Sequence, residues 1–557
     1  MRIGEVQSVD TGNVVIAIDD DTLLNNIQIN QIVWIRSTKV NEKIIGLVSK
    51  IMRRAVLGKV DAENDPETVV ENIVRVNLVG TWLAKEGCNK SVFKRTLTTV
   101  PSAGAEALLF EDEELTVFMG SISSNHENPL RVGRYVISQD SVANIDGNKF
   151  FQRHAVIVGG TGSGKSWTVA SILEQASKLK SVDAIVFDLH GEYSPLGELP
   201  NVSLMRVAGP AGKPNDGNTV FLPYWLLGYE EIEALLLDRS DVNAPNQARA
   251  LFDSILKHKN AFLANSSHAT EYAGITVDSP LPYDIENVLV ELDAKDEEKL
   301  PGARAGTEKA GPLNGKLTRF LQRLRSKRAD KRLNFMFNDD ASLQQYEWFE
   351  GFAESLIGFH SGKGLKIIDF SEVPSDVLPL ITGLVARLIF SLQQWMDVER
   401  RHPVALFCDE AHLYIPNNAQ GAMEERGLKA FERIAKEGRK YGVALVVISQ
   451  RPADVNKTVL SQCGNFIAMR LSNPDDQNVI KHLFPDSMGE FAESLPILDI
   501  GEGLVVGDAC LLPSRVKITP PTIHPESATI NFWDEWAGEG AESGVAGAVL
   551  ALRRQQK

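Results

Sequence analysis

The chain has 557 residues, 43% hydrophobic and 24% charged, with a formal net charge of −15, a pI near 5.3 and a mean hydropathy of −0.12. That is enough apolar material for roughly three or four domain-sized units at ~150 residues each, and it excludes global disorder. The acidic surplus argues against a generally basic coat for nucleic acid or anionic membrane, and leaves a local basic channel open.

Residues 1 to about 100 alternate apolar and polar in short runs (NVVIAID, QIVWIRS, KIIGLVSKI, IVRVNLVG) broken by Asp, Gly and Asn. Short strands at this spacing predict a small β-barrel or sandwich. Two further runs, LTVFMGSI and LRVGRYVI, lead to a linker around Asn144 to Lys149. From Phe150 the pattern changes to buried-looking strands before helical segments: HAVIVGG, KSWTVASILEQASKL, VDAIVFDLH, and later VALFCDEAH and ALVVISQRP. Strands alternating with helices predict a parallel α/β sheet. Residues 225–345 read as a helical, more polar insertion, and the chain turns irregular after Pro520. The expected organisation is a barrel over 1–145, a core over 146–224 and 346–520, the helical insertion over 225–345 and an extension over 521–557.

Cys88, Cys408, Cys463 and Cys510 are scattered. They predict neither a disulfide framework nor a zinc site, and they suit a reducing cytoplasm. The start, MRIGEVQSVDTGNVV, lacks a signal-peptide core. The best apolar run, Leu378 to Phe390, is interrupted by Arg387 and falls short of the ~20 residues of a membrane helix. A cytoplasmic protein without a membrane segment is expected.

The segment Gly159-Gly-Thr-Gly-Ser-Gly-Lys165-Ser166 has the spacing GxxxxGK[ST]. Its glycines let backbone N–H groups turn toward phosphate oxygens, and the following helix adds its positive dipole end. Lys165 reaches terminal phosphates and the Ser166 hydroxyl suits Mg²⁺. The nucleotide-binding candidates are Gly160, Thr161, Gly162, Ser163, Gly164, Lys165, Ser166 and Trp167. In Leu406-Phe-Cys-Asp409-Glu410 an apolar strand ends in two carboxylates: Asp409 for the metal shell, Glu410 to polarise the attacking water. An acidic cap on the next helix has the same appearance, but the paired motifs point to ATP hydrolysis with Mg²⁺.

Gln450, just past another apolar strand, is a candidate for sensing the γ-phosphate or placing water. Asp188, His190 and Glu192 follow the strand after the loop's helix. They either face the nucleotide, as strand C-terminal ends do, or serve as polar loop groups. Arg153, Arg439, Arg451 and Arg470 are candidates for a positive group at the γ-phosphate, and composition does not rank them. A basic amphipathic helix over Lys316 to Arg332 is a nucleic-acid surface, a solvated face, or a partner for the acidic stretch Asp293 to Glu298. Lys429, Arg433, Lys436 and Lys440 form a second basic stripe, with Glu425/Lys429 and Glu432/Lys436 at i, i+4.

Taken together, RHAVIVGGTGSGKS, IVFDLHGEY, FCDEAH, SQRP and RLSNPDDQ resemble the HerA branch of the HerA/FtsK superfamily of DNA-pumping ATPases. The N-terminal strands resemble that branch's barrel, while RLRSKRADKRLNFMF and LLPSRVKITPP resemble its insertion and end-of-core segment. The resemblance spans about residues 1–525. It implies an α/β, RecA-like P-loop ATPase core with a helical insertion, preceded by a small β-barrel. It also implies a homohexameric ring that drives double-stranded DNA through a channel beside an effector partner. That partner is the nuclease NurA in end resection, or a nuclease or sirtuin-like NAD-degrading protein in anti-phage defence, the setting expected here. Carried over, Glu410, Gln450, Arg153 and Arg439 are catalytic, with Arg153 reaching a neighbour's site and Arg439 a finger or sensor; Ser166 and Asp409 hold the metal. Asp-Leu-His stands where Pro often precedes the histidine. The alternatives are an ATP-binding scaffold that regulates an effector, a DNA end-resection motor, or a conjugative motor, against which the lack of a membrane segment counts.

Overall fold

The computed structural model describes the chain except residues 11, 19, 26, 58–67, 84–90, 98, 124–126, 215, 270–273, 305, 359–362, 485–490, 528–530, 539–543 and 556–557, with backbone alone at 21, 54–57 and 68–70. Cys88 therefore lies outside the described residues, while Cys408, Cys463 and Cys510 are buried and form no disulfide among the described residues. The chain divides into two compact units. One comprises Met1–Gln175, Val446–Ala453 and Leu460–Thr522; the other comprises Ala176–Leu445, Asp454–Val459 and Ile523–Lys557.

The first unit opens with the strands Arg2–Val9, Asn13–Ile18, Ile32–Arg36, Glu42–Leu57, Thr68–Leu83, Val92–Lys94 and Glu106–Leu109. Their alternation is that of half-buried strands: Val14, Ile16 and Ile18 turn inward along Asn13–Ile18, and Val33 and Ile35 along Ile32–Arg36. These side chains meet Ile3, Val6, Ile44, Val48, Val74 and Val76 in one core. The sheet closes because Asn13–Ile18 also pairs antiparallel with the Ile73–Asn77 stretch. Closure removes the free edges and settles the barrel-or-sandwich alternative as a barrel.

The same unit carries the buried strand Ala155–Val158, paired parallel with Val446–Ser449 on one side and with Asn465–Met469 on the other. Antiparallel strands Glu502–Gly507, Ser514–Ile518, Leu130–Tyr135 and Ser138–Ile145 follow outward in that order.

In the second unit Ala184–Asp188 lies between Leu365–Asp369 and Val404–Cys408, all parallel, with Val202–Val207 beyond Leu365–Asp369. The three central strands are buried along their whole length, as expected of a parallel sheet covered on both faces. Lys366 lies inside this sheet and is held by Asp183 at 2.7 Å. The apolar run at 378–390 is the inner part of a helix, Leu378–Trp395, buried along most of its length. Arg387 is accommodated there by Glu231 at 2.7 Å and the Leu226 carbonyl. Among the described residues no helix is long and apolar enough to cross a membrane.

Helices Tyr229–Leu236, Ala244–Ala264, Ile285–Asp296 and Thr318–Ala329 follow in the same unit. On the last of these several basic side chains are matched by acids. Arg323 meets Asp238 at 3.1 Å and Lys327 meets Asp376 at 3.3 Å. Arg325 pairs with Asp293, and Asp296 accepts the Leu317 amide at 2.7 Å. The helix thus docks the acidic stretch, the third of its three readings. On Ala422–Tyr441, Lys436 pairs with Glu432 at 3.8 Å, but Glu425 turns to Arg239 at 3.2 Å instead of Lys429.

Candidate functional site

The glycine-rich loop leaves the buried strand Ala155–Val158 and opens the helix Lys165–Ser177. Gly162 and Gly164 have φ of +73° and +102°. These left-handed turns are what a side chain resists and what aim successive amides into a concavity. A Cβ at Gly162 would meet open space, so its position is set by backbone conformation and not by crowding. The loop is tied down by the Gly160 amide donating to the Arg470 carbonyl at 2.8 Å and the Gly501 amide to the Ser163 carbonyl at 2.9 Å. Lys165 is buried at the start of the helix. The Ser163 hydroxyl is buried with no hydrogen-bond partner among the described residues. Thr161 Oγ1 donates to Gln450 Oε1 at 2.9 Å, which brings the predicted Gln450 onto the loop.

Arg153 ends the helix Gly147–Gln152 and is half exposed, 3.5 Å from Asp508. His154, next in sequence, is buried at φ +54°. The side-chain amide of Asn465 fixes this junction by donating to the carbonyls of Lys149, Phe150 and His154 at 3.0–3.2 Å. Arg470 contributes its carbonyl to the loop, as described. Arg451 and, in the second unit, Arg439 are exposed.

In the second unit Asp188 and Asp369 stand at the ends of neighbouring strands, and Asp409 directly follows Val404–Cys408. Asp188 is turned inward. Its carboxylate accepts the amides of His190, Gly191, Glu192 and Tyr193 at 2.8–3.3 Å, so it builds the turn. Burial pushes its pKa up to about 6 against the pull of those amides. His190 is exposed and Glu192 half-buried.

Asp409 and Glu410 are both buried. Glu410 adopts φ 46°, ψ 42°, a left-handed conformation that non-glycine residues keep chiefly where function demands it. His412 Nδ1 lies 3.3 Å from its carboxylate, and the Tyr414 hydroxyl donates to the Asp409 carbonyl at 2.9 Å. The hydroxyl of Tyr193 is buried without a hydrogen-bond partner among the described residues. Burial first, then the charges of Asp409, Glu192, Asp188 and Glu410, raise its pKa well above the ordinary phenol value. His412, Tyr193 and Tyr414 are absent from the sequence-derived candidates. His412 and Tyr193 are nevertheless the last residues of FCDEAH and IVFDLHGEY, two residues beyond Glu410 and one beyond Glu192.

Among the described residues no cluster of three or more His, Cys, Asp or Glu side chains forms a metal site. Mg²⁺ is usually held by one or two protein oxygens, with phosphate and water completing its shell. Ser166 in the first unit and Asp409 in the second each carry a hard oxygen donor of that kind.

A glycine-rich loop between a buried parallel strand and a helix, with an acidic pair ending another parallel strand, defines a P-loop nucleoside triphosphatase. Residues 130–389 match the family described as "Helicase HerA, central domain", and residues 380–528 match "Helicase HerA-like C-terminal". A DNA double-strand break repair helicase HerA of Sulfurisphaera tokodaii is 26% identical over 506 residues, 89% of this chain and 90% of that one. A probable helicase of Methanocaldococcus jannaschii is 24% identical over 436 residues, covering 75% and 71%. Among solved structures, VirB4 of Thermoanaerobacter pseudethanolicus aligns with a TM-score of 0.49 at 16% identity, covering 72% of this chain and 98% of that one. The chain belongs to the HerA family of P-loop ATPases, with an α/β core preceded by a β-barrel.

Proposed function

We propose that this ATPase is a motor that moves double-stranded DNA, working as a homohexameric ring with an effector partner in the cytoplasm. The observation that carries the reading is the loop: two left-handed glycines and a buried lysine at a helix start. Lys165 and the amides of residues 160–167 bind the phosphates of ATP. Ser166 and Asp409 hold Mg²⁺, which when bound neutralises phosphate charge. Glu410 takes the proton of the attacking water, and Gln450 contacts the γ-phosphate. Arg153, half exposed, supplies positive charge to a neighbouring subunit's site, with Arg439 the alternative.

Duplex DNA as the substrate is supported by the relatives named DNA double-strand break repair helicase. Those names also favour break repair as a setting, whereas anti-phage defence with a nuclease or sirtuin-like partner rests on the sequence resemblance. An acidic chain pumps DNA if its positive charge is confined to a channel, so binding should depend on the ring and weaken with salt.

The test is ATP hydrolysis by the purified protein with and without duplex DNA. Lys165→Ala should abolish it, and Glu410→Gln should lower kcat by about 10²–10⁴-fold, both with unchanged circular dichroism. Wild-type protein that hydrolyses no ATP under either condition overturns the motor. Native mass and co-purification of the neighbouring gene's product test the ring and the partner.

A further inference from the structure

The barrel strand Val92–Lys94 pairs with Thr81–Leu83, so the next residue, Arg95, leaves the barrel edge from a fixed position. Its guanidinium closes on a turn more than 400 residues later in the same unit. Nε donates to the Leu511 carbonyl at 3.0 Å, and Nη2 donates to the carbonyls of Gly507 and Cys510. Arg95 Nη1 also stands 3.8 Å from Asp508 Oδ1, while Asp508 Oδ2 is 3.5 Å from Nε of Arg153. One carboxylate thus bridges a barrel arginine and the arginine that precedes the phosphate-loop strand.

The backbone repeats the connection. The Gly464 amide donates to the Arg153 carbonyl at 2.7 Å, and the Asp508 amide to the Gly464 carbonyl at 3.1 Å. Asn465 Oδ1 accepts the Ala509 amide at 2.8 Å. Gly507, at φ +136°, makes the approach close: a Cβ there would stand 2.3 Å from the Gly464 carbonyl oxygen. Arg153 and Asp508 remain 50% and 47% exposed, so their ion pair adds little stability. It orients a side chain that stays reachable.

We propose that Asp508 and Arg95 are positioning residues for Arg153, so that the barrel sets the arginine offered to a neighbouring nucleotide site. The inference rests on the role proposed for Arg153.

The test is steady-state ATP hydrolysis by the assembled full-length protein. Arg153→Ala should cut kcat severely. Asp508→Asn and Arg95→Ala should each lower kcat about fivefold to tenfold with KM for ATP held within about twofold, the scale of ordinary pairwise coupling. Asp508→Glu should restore part of the loss, and Asp508→Asn added to Arg153→Ala should cost nothing more. If Arg153→Ala is crippled while Asp508→Asn turns over like wild type, or if the two losses multiply, the positioning role is overturned and that of Arg153 stands. If Arg153→Ala keeps wild-type kcat, both fall. Should Asp508→Asn melt early, Arg95→Lys, which keeps the charge and loses the fork, carries the same comparison.

Discussion

Glu410 offers a way to separate backbone strain from chemistry. At φ 46°, ψ 42° it occupies a region that costs a residue with a Cβ roughly 1–2 kcal/mol. Glycine escapes that cost but gives up about 0.5–1 kcal/mol through its freedom in the unfolded chain. Glu410→Ala and Glu410→Gly both remove the carboxylate and its approach to His412 at 3.3 Å, so the difference between them isolates the backbone. The glycine variant should be the more stable by about 1 kcal/mol, which is ~1–2 °C in the melting temperature of a unit as large as the one that holds it. This reverses the usual order within regular secondary structure. Calorimetry or dye-monitored melting without nucleotide measures the difference, which does not depend on the role proposed for Glu410 in ATP hydrolysis. An alanine variant that melts at or above the glycine variant would refute the claim that strain is stored at this carboxylate.

Two further outcomes are expected. Lys366→Met strands Asp183, whose side chain is 0% exposed and whose pKa burial already pushes up to about 6; stability at pH 8 should fall by about 3–5 kcal/mol, and adding Asp183→Leu should recover most of it, as urea denaturation followed by circular dichroism will tell. Asp188, also raised from 3.8 to about 6 by burial, favours its protonated form when folded. Its stabilising contribution is therefore complete below pH ~4 and lost as pH rises through 6, by about 3 kcal/mol. Urea midpoints across that range should show the decline in wild type and a shallower one in Asp188→Asn.

The phosphate loop and the Asp-Glu pair were legible because each is a local pattern: an apolar strand, a turn composition, and a helix or acid at a fixed offset. Strand alternation disclosed the N-terminal β domain but not its closure, which depends on Asn13–Ile18 meeting residues some sixty positions later. Asp188 was ambiguous for a physical reason. A carboxylate at a strand end can face a ligand or cap its own turn, and only the backbone path of residues 190–193 decides for the turn. The basic helix was likewise undecided until Asp238, Asp293 and Asp376, distant in sequence, came into place. The Arg95 clasp joins residues more than 400 apart, beyond the reach of any periodicity.

The bond from Thr161 Oγ1 to Gln450 Oε1 at 2.9 Å has a chemical corollary. With one lone pair of its oxygen engaged, the Gln450 amide still carries two N–H donors, and these can satisfy only acceptors. Phosphoryl oxygens are acceptors, whereas a base must receive a proton. In the role proposed for it above, Gln450 would therefore meet phosphate as a donor and not as the base.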